Sequence, residues 1–539
     1  MIASLALLVL PQAPVTTQDP NPVASVEHLI TKEGIAACVR YLSDDLLEGR
    51  GVGTRGDKLA RRYLASQMEL FGMKPGGLDG TWEQPVSLFG ITAKVLIPMT
   101  VTGPKGKAVF TAPKDYTAES GHPGANSEWK DADVVFVGYG IDAPEQKWDD
   151  YKGVDLKGKV VLVMNNDPSS DPNLFAGPTR LYYGRWSYKF EEAARRGAVG
   201  AIVIHTTRSA GYPFQVIQNG HGREDFWLPF KPADATMAVR SWCSEEAARK
   251  MAALGGHDLD ALRKVAETRA FKPVPLGVRV NLNMSNRVRR IDSANVIGKL
   301  EGSDAELKSE AVVVTAHFDH LGIRAPKKGD SIYNGALDNA SGCAGMLTLV
   351  RACGALKIRP KRTILFTFVT AEESGLLGSL YFARNPTYPR KKIVANYNLD
   401  SINIWGATKD IAMVGYGKNS LTGVADKVAR RRGRVLIANP DVSLGLFYRS
   451  DHFSFARVGI PSAYFKAGSD FYVNKRGKNL VKGAYTRTRY HQPNDEFHDK
   501  WDLRGAVEDM RLVLECIIVT ANADDAPKWS PGDEFEKLR

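Results

Sequence analysis

Apolar residues fall into three textures along the chain. Over 58–71 the apolar positions Leu59, Ala60, Tyr63, Leu64, Met68 and Phe71 recur at helical spacing, and Gly72 stops the run. The wider segment 26–70 reads as helical. From Ile97 to about Val280 the pattern changes to short β-branched strands between Gly, Pro and Asp turns. Strands are predicted over 134–137, 160–164 and 201–205, with a helix over 190–196 that Gly197 ends. From Ala294 onward strands and helices alternate, which predicts a doubly wound α/β sheet. No period of 20–50 residues repeats, so solenoids and propellers are excluded.

Within the alternating region, the ends of the strands carry the chemistry. The buried-type strand 311–316 runs straight into His317-Phe318-Asp319-His320-Leu321-Gly322. A second, 363–370, ends in Ala371-Glu372-Glu373-Ser374-Gly375, and a third, 394–399, ends in Asp400-Ser401. Helix-like runs, 340–352 and 376–383, follow the first two. Ligands of open α/β sheets bind beyond the C-terminal ends of the strands, so three successive strands deliver imidazole and carboxylate groups to one edge.

Composition narrows the classes without deciding among them. The 539 residues are 43% hydrophobic and 24% charged, an ordinary globular balance that rules out a disordered, collagenous or coiled-coil chain. Such a length predicts two to four domains. Past the first dozen residues no apolar run approaches the ~20 residues of a membrane span, so none is expected. The net charge of +12 comes from scattered residues, and Arg430-Arg431-Arg432-Gly433-Arg434 and Arg390-Lys391-Lys392 read as solvated surface. A nucleic-acid partner is therefore not expected. Five cysteines without C-x-x-C spacing argue against both a disulfide framework and a thiolate zinc site. The apolar stretch 2–10 before Pro11-Gln12-Ala13 predicts a signal segment and export to the periplasm or outside. Gly51-Val52-Gly53-Thr54-Arg55-Gly56 fits a dinucleotide fingerprint, but no strand precedes it. There is neither a G-x-S-x-G elbow nor an H-E-x-x-H pair.

Carboxylates packed together repel one another and pull protons on unless something positive compensates. Lys and Arg are absent from these strand ends, which leaves a divalent cation as the compensator. Histidine and carboxylate without thiolate suit Zn2+ better than Mg2+ or Ca2+. Adding Asp338, in the loop 334–342, and His491, in Tyr490-His491-Gln492-Pro493-Asn494-Asp495, gives enough ligands for two ions.

Five motifs occur in one order: H-x-D-H-x-G, G-x-x-D-N-x-S-G, E-E-S-G-L-x-G-S, N-L-D and Y-H-x-P-x-D. Together they resemble the co-catalytic zinc aminopeptidases of peptidase family M28. The likeness extends to Leu46-Leu47-Glu48-Gly49-Arg50-Gly51 and Gly72-Met73-Lys74-Pro75. The middle region resembles an inserted protease-associated domain, through Val137-Gly138-Tyr139-Gly140-Ile141, Trp148-Asp149-Asp150-Tyr151 and Gly158-Lys159-Val160-Val161-Leu162. The implied layout is a leader over 1–22, an N-terminal part of the peptidase over 23–125, the insert over 126–290, the catalytic domain over 291–525 and a tail over 526–539.

The resemblance implies that His317 and Asp400 hold one zinc, that Glu373 and His491 hold the other, and that Asp338 bridges them. It makes Glu372 the general base, has Asp319 orient the His317 imidazole, and makes the Asp338–Asn339 peptide cis. Tyr448 is a further candidate, as a donor to the oxyanion. His320, Asp451 and His452 read as supporting or structural, and Cys343 as core. The expected function is zinc-dependent removal of N-terminal residues from peptides. Carboxypeptidase action on acidic C-termini, glutaminyl cyclisation and a non-enzymatic, receptor-like binding role are the alternatives. The oligomeric state is open.

Overall fold

The structure is a computed structural model that describes residues 21–230 and 234–539. The leader expected over 1–22 lies, but for its last two residues, outside the described residues. No helix among them is long and apolar enough to cross a membrane.

The N-terminal helical segment is two helices. Lys32–Leu42 starts on the Thr31 side chain, which accepts the Gly34 N–H, and buries Ile35, Val39 and Leu42. Arg55–Leu70 starts on Thr54 in the same way and buries Ala60, Leu64 and Met68. Gly72, at φ +80°, turns the chain out of it. Between them lies the tight turn Asp45–Arg50, in which Glu48, Gly49 and Arg50 all take left-handed φ values. Apolar spacing continues across that turn, which is why the sequence pattern reads through it.

Among the described residues, a mixed sheet of sixteen strands runs through both halves of the molecule. At the centre of its C-terminal half, Ala311–His317 pairs in parallel with Thr363–Val369 on one side and Ile393–Asn398 on the other. All residues of these three strands are buried, as continuous apolar runs of the parallel kind require. Ser462–Ala467 follows in parallel, then Asp410–Val414 antiparallel and Val435–Ala438 at the edge. Helices Ser341–Gly354 and Arg504–Asn522 close a large core on one face, together with the two N-terminal helices. Phe382 and Phe455, from helices Leu377–Arg384 and His452–Ala456, pack against the other face. The five elements expected here from the sequence, strands 311–316, 363–370 and 394–399 and helices 340–352 and 376–383, all fall within two residues of the observed ones.

The other half, built on Val160–Met164, Gly200–His205 and Val239–Ser244, has its own cores. Two long strands join the halves. Val274–Leu300 and Glu83–Gly103 pair antiparallel from Arg279↔Thr102 to Val296↔Glu83. Position 290/291, where the insert was expected to end, falls inside Val274–Leu300. Position 125/126 falls between Tyr116–Ser120 and Asn126–Phe136, which are strands of the same half. Burial alternates along Val274–Leu300 up to Asp292 and becomes continuous over 293–298, so the texture changes while the backbone does not.

Candidate metal centre

The three strand ends converge as their order in the sheet dictates, and the loop carrying Asp338 closes over them. Asp338 stands between two imidazoles. Its Oδ1 is 3.3 Å from His317 Nε2 and its Oδ2 is 3.2 Å from His491 Nε2. Asp400 Oδ1 and Glu372 Oε2 each lie 3.9 Å from His317 Nε2. Glu373 faces the opposite side, with Oε2 at 2.9 Å from His491 Nε2 and Oε1 at 2.6 Å from His320 Nδ1. Two sets of donor atoms each fit within 4.8 Å: His317, Asp338 and Asp400, and His320, Asp338 and Glu373. Asp338 belongs to both.

Several donor atoms of this cluster make no hydrogen bond of good geometry. His317 Nε2, His491 Nε2, both ring nitrogens of His320 and Oε1 of Glu373 are buried without a hydrogen-bond partner. Buried polar atoms are almost always satisfied, so five orphans converging within one cluster are what a site for cations requires. The donor set, imidazole and carboxylate without thiolate, fits zinc.

Local hydrogen bonds hold the donors. The Nδ1–H of His317 donates to the main-chain carbonyl of Asp319 at 3.2 Å, which leaves Nε2 as the lone-pair atom. The Asp319 carboxylate is farther from that ring, at 3.8 Å. It accepts the N–H groups of Glu372 and Glu373 instead, at 3.0 and 3.3 Å. Asp319 therefore orients the imidazole through its main chain and fixes the Glu-Glu turn through its side chain. Asp495 does for Asp338 what Asp319 does for the glutamates. Its carboxylate accepts the N–H groups of Leu337 and Asp338, and the Tyr485 hydroxyl donates to it at 2.9 Å. Asn339 links the same loop to the third strand end, donating to the Leu399 carbonyl and accepting from Gly342 and Ser401. The Asp338–Asn339 peptide is cis. Cys343 is buried and donates to the His317 carbonyl.

Burial pushes the Glu372 carboxyl well above its ordinary range, only partly opposed by His317. Burial acts on Glu373 too, but His491 and His320 outweigh it and hold that carboxyl down at about 2. Adjacent glutamates thus differ because only one of them faces two imidazoles.

A cavity of about 380 Å3 opens beside the cluster, and Asp338, Glu372, Asp400, Tyr464 and Tyr490 line it. Tyr448 is not brought to the reacting edge. Its ring is buried among Phe447, Phe453 and Tyr182, and its hydroxyl donates to Glu534 at 2.5 Å, so the oxyanion role expected for it has no geometry. Helix spacing or charge could not have revealed this, because the partner lies 86 positions along the chain. Conversely, His320 stands closer to Glu373 than a supporting role predicts. Sequence reasoning also passed over Asp495, although it is the last residue of the Y-H-x-P-x-D motif.

Residues 295–515 match the model of peptidase family M28. A glutamate carboxypeptidase 2 homolog from Caenorhabditis elegans is 25% identical over 318 residues, 50% of this chain and 37% of that protein. A vacuolar membrane protease from Candida glabrata is 35% identical over 107 residues, 19% of this chain and 10% of that protein. The chain thus spans well under half the length of these curated relatives. The structure of an aminopeptidase from Aneurinibacillus sp. strain AM-1 shares the fold, with a TM-score of 0.52 at 20% identity, over 95% of this chain and 98% of that one. The match to peptidase family M28 thus covers the segment 295–515, which carries every donor of the cluster.

Proposed function

We propose that this chain is a zinc-dependent exopeptidase, specifically an aminopeptidase that hydrolyses N-terminal residues from peptides. The observation that carries the reading is Asp338, whose two oxygens face His317 on one side and His491 on the other. Two zinc ions would be held there, one by His317 and Asp400 and the other by Glu373 and His491, with Asp338 shared. Bound in pairs, such ions lower the pKa of a shared water and stabilise the oxyanion of an attacked carbonyl. Glu372, at the cavity wall, is the residue that takes the proton and returns it to the leaving amine. Asp319 keeps His317 in the tautomer that this requires.

The half built around the middle strands is read as a non-catalytic cap, the inserted protease-associated domain. Supporting this, its contacts with the other half, Tyr182 on Phe453 at 4.9 Å and Glu191 with Arg457 at 3.1 Å, involve none of the cluster's donors.

Carboxypeptidase action is the second reading, favoured by Arg449 and Lys466, which line the cavity and would suit a terminal carboxylate. One peptide assayed free, N-acetylated and C-amidated, beside a measurement of bound zinc, separates the two. The aminopeptidase fails only on the acetylated form and the carboxypeptidase only on the amidated one. A protein that holds no zinc and cleaves none of the three would end both readings.

A further inference from the structure

Arg50 is fully buried, and among the described residues no acidic side chain accepts a hydrogen bond from it. All four of its acceptors are main-chain carbonyls. Nε donates to Phe318 at 2.7 Å, Nη1 to Asn334 at 2.7 Å and to Leu42, and Nη2 to Gly335 at 2.9 Å. Taking a full charge out of water is costly unless something compensates it. A neutral side chain of similar length would fill the same space without that cost. What the guanidinium adds is a rigid fork of five donors, which can reach three separate chain segments at once.

Those segments are not arbitrary. Phe318 lies between His317 and Asp319, and Asn334 and Gly335 open the loop that carries Asp338. The main chain around Arg50 joins the same arrangement. The Arg50 carbonyl accepts the His320 N–H at 3.2 Å, and Gly51 forms a parallel bridge with His320. The neighbouring turn fits so closely that a Cβ on Gly49, itself at φ +63°, would meet the Tyr333 carbonyl oxygen at 2.4 Å. Burial disfavours the charged guanidinium and lowers its pKa, and Cys343, Asp319, Asp495 and Asp338 oppose that only in part.

We propose that Arg50 is a positioning residue of the metal centre. It ties the loop after Ala311–His317 to the loop that carries Asp338, and so sets the spacing at which His317, His320 and Asp338 present their donor atoms. The inference rests on the two-zinc reading above. It also gives a role to the Leu46-Leu47-Glu48-Gly49-Arg50-Gly51 motif, which lies far from the ligands in sequence.

The test compares zinc dissociation constants, by chelator competition, for the unaltered protein, Arg50→Lys and Leu64→Ala. Lysine keeps the charge but cannot span the four carbonyls. Leu64 lies in the core of the same half and its side chain offers no hydrogen bond to either loop, so its loss reports on stability. Arg50→Lys is expected to bind zinc about 10–100-fold more weakly, the usual cost of losing a group that orients ligands. The visible spectrum of its cobalt-substituted form should shift, while Leu64→Ala loses thermal stability with zinc affinity unchanged. Zinc bound by Arg50→Lys as tightly as by the unaltered protein would overturn the proposal. An unaltered protein that does not hold two zinc equivalents would instead overturn the functional reading. If Arg50→Lys does not fold, hydrogen exchange on the zinc-free natural chain decides. The amide of His320, which donates to the Arg50 carbonyl, should stay protected, because the clamp exists before the metal arrives; exchange as fast as in unstructured peptide would refute it.

Discussion

Nδ1 of His320 lies 2.6 Å from Oε1 of Glu373, yet neither atom has a hydrogen-bond partner. An imidazole nitrogen and a carboxylate oxygen that close, without the angles of a hydrogen bond, are placed as two donors to one cation would be. His320 should therefore support the centre that Glu373 and His491 form. His320→Phe keeps an aromatic ring but removes both nitrogens. We expect dialysed protein to lose zinc from that centre, with affinity about 10–100-fold weaker, while the centre of His317 and Asp400 keeps its ion. Metal analysis after dialysis checks this, and two tightly held equivalents would reduce His320 to a packing residue.

Asp338 faces both sides of the cluster, so its neutral isostere should weaken both centres. Asp338→Asn retains volume and one carbonyl oxygen but removes the charge and turns the other oxygen into a donor. The expected outcome is loss of zinc from both sites in a protein with near-normal circular dichroism. Two full equivalents in the purified variant would show that Asp338 is not shared.

Glu372 and Glu373 are adjacent in sequence and divided in role. Glu372 lines the cavity, whereas Glu373 lies between His320 and His491. Glu372→Gln should keep both zinc ions and lower kcat by about 10²–10⁴, the contribution of a positioned general base. Kinetics beside metal analysis test the division, and near-normal turnover would remove Glu372 from that role.

The half that carries the cluster was legible because its strands are buried on both faces and therefore read as unbroken apolar runs. Thr363–Val369 and Ile393–Asn398 leave no exposed position to confuse the pattern. Val274–Leu300 was not legible as one element. Arg287 and Arg289 flank the less exposed Val288 along its open part, and then 293–298 are buried continuously, so a single strand shows two textures. The approach of the ligands was legible from strand ends, but their contacts were not. Past His317 the strand stops, and the rule that alternate residues share a face no longer says where Asp319 or His320 points. The Asp319 carboxylate, expected on the His317 ring, serves the Glu372 and Glu373 amides instead.

His452 gives a pH dependence that does not involve the cluster. Its ring is buried between Phe447 and Tyr464, at centroid distances of 4.8 and 5.0 Å, and burial drops its pKa from 6.5 to about 3. The folded state therefore binds fewer protons than the unfolded state between those values. Its stabilising share is complete above pH 6.5 and is lost as pH falls toward 3, at about 1 kcal/mol per pH unit. Acid also protonates the carboxylates, so the informative quantity is a difference. The melting temperature of His452→Phe should fall less steeply than that of the unaltered chain between pH 6.5 and 4.5. Parallel curves would mean that the imidazole is already charged, or already solvated, in the folded protein.

Tyr448 separates a role inferred from sequence from one set by packing. Its hydroxyl donates to Glu534 at 2.5 Å, and Lys418 pairs with the same carboxylate at 2.9 Å. Removing the hydroxyl leaves Glu534 with its lysine, so the loss is one hydrogen bond to a charged group, about 1.5–3 kcal/mol. Nothing in that arrangement reaches the reacting edge of the sheet. Tyr448→Phe should melt earlier and keep kcat and KM at their original values when assayed below its melting transition. Loss of an oxyanion donor would instead lower kcat by about 10²–10³. A fall of that size, with zinc content intact, would restore Tyr448 to the chemistry and require the wall formed by Phe447 and Phe453 to open during turnover.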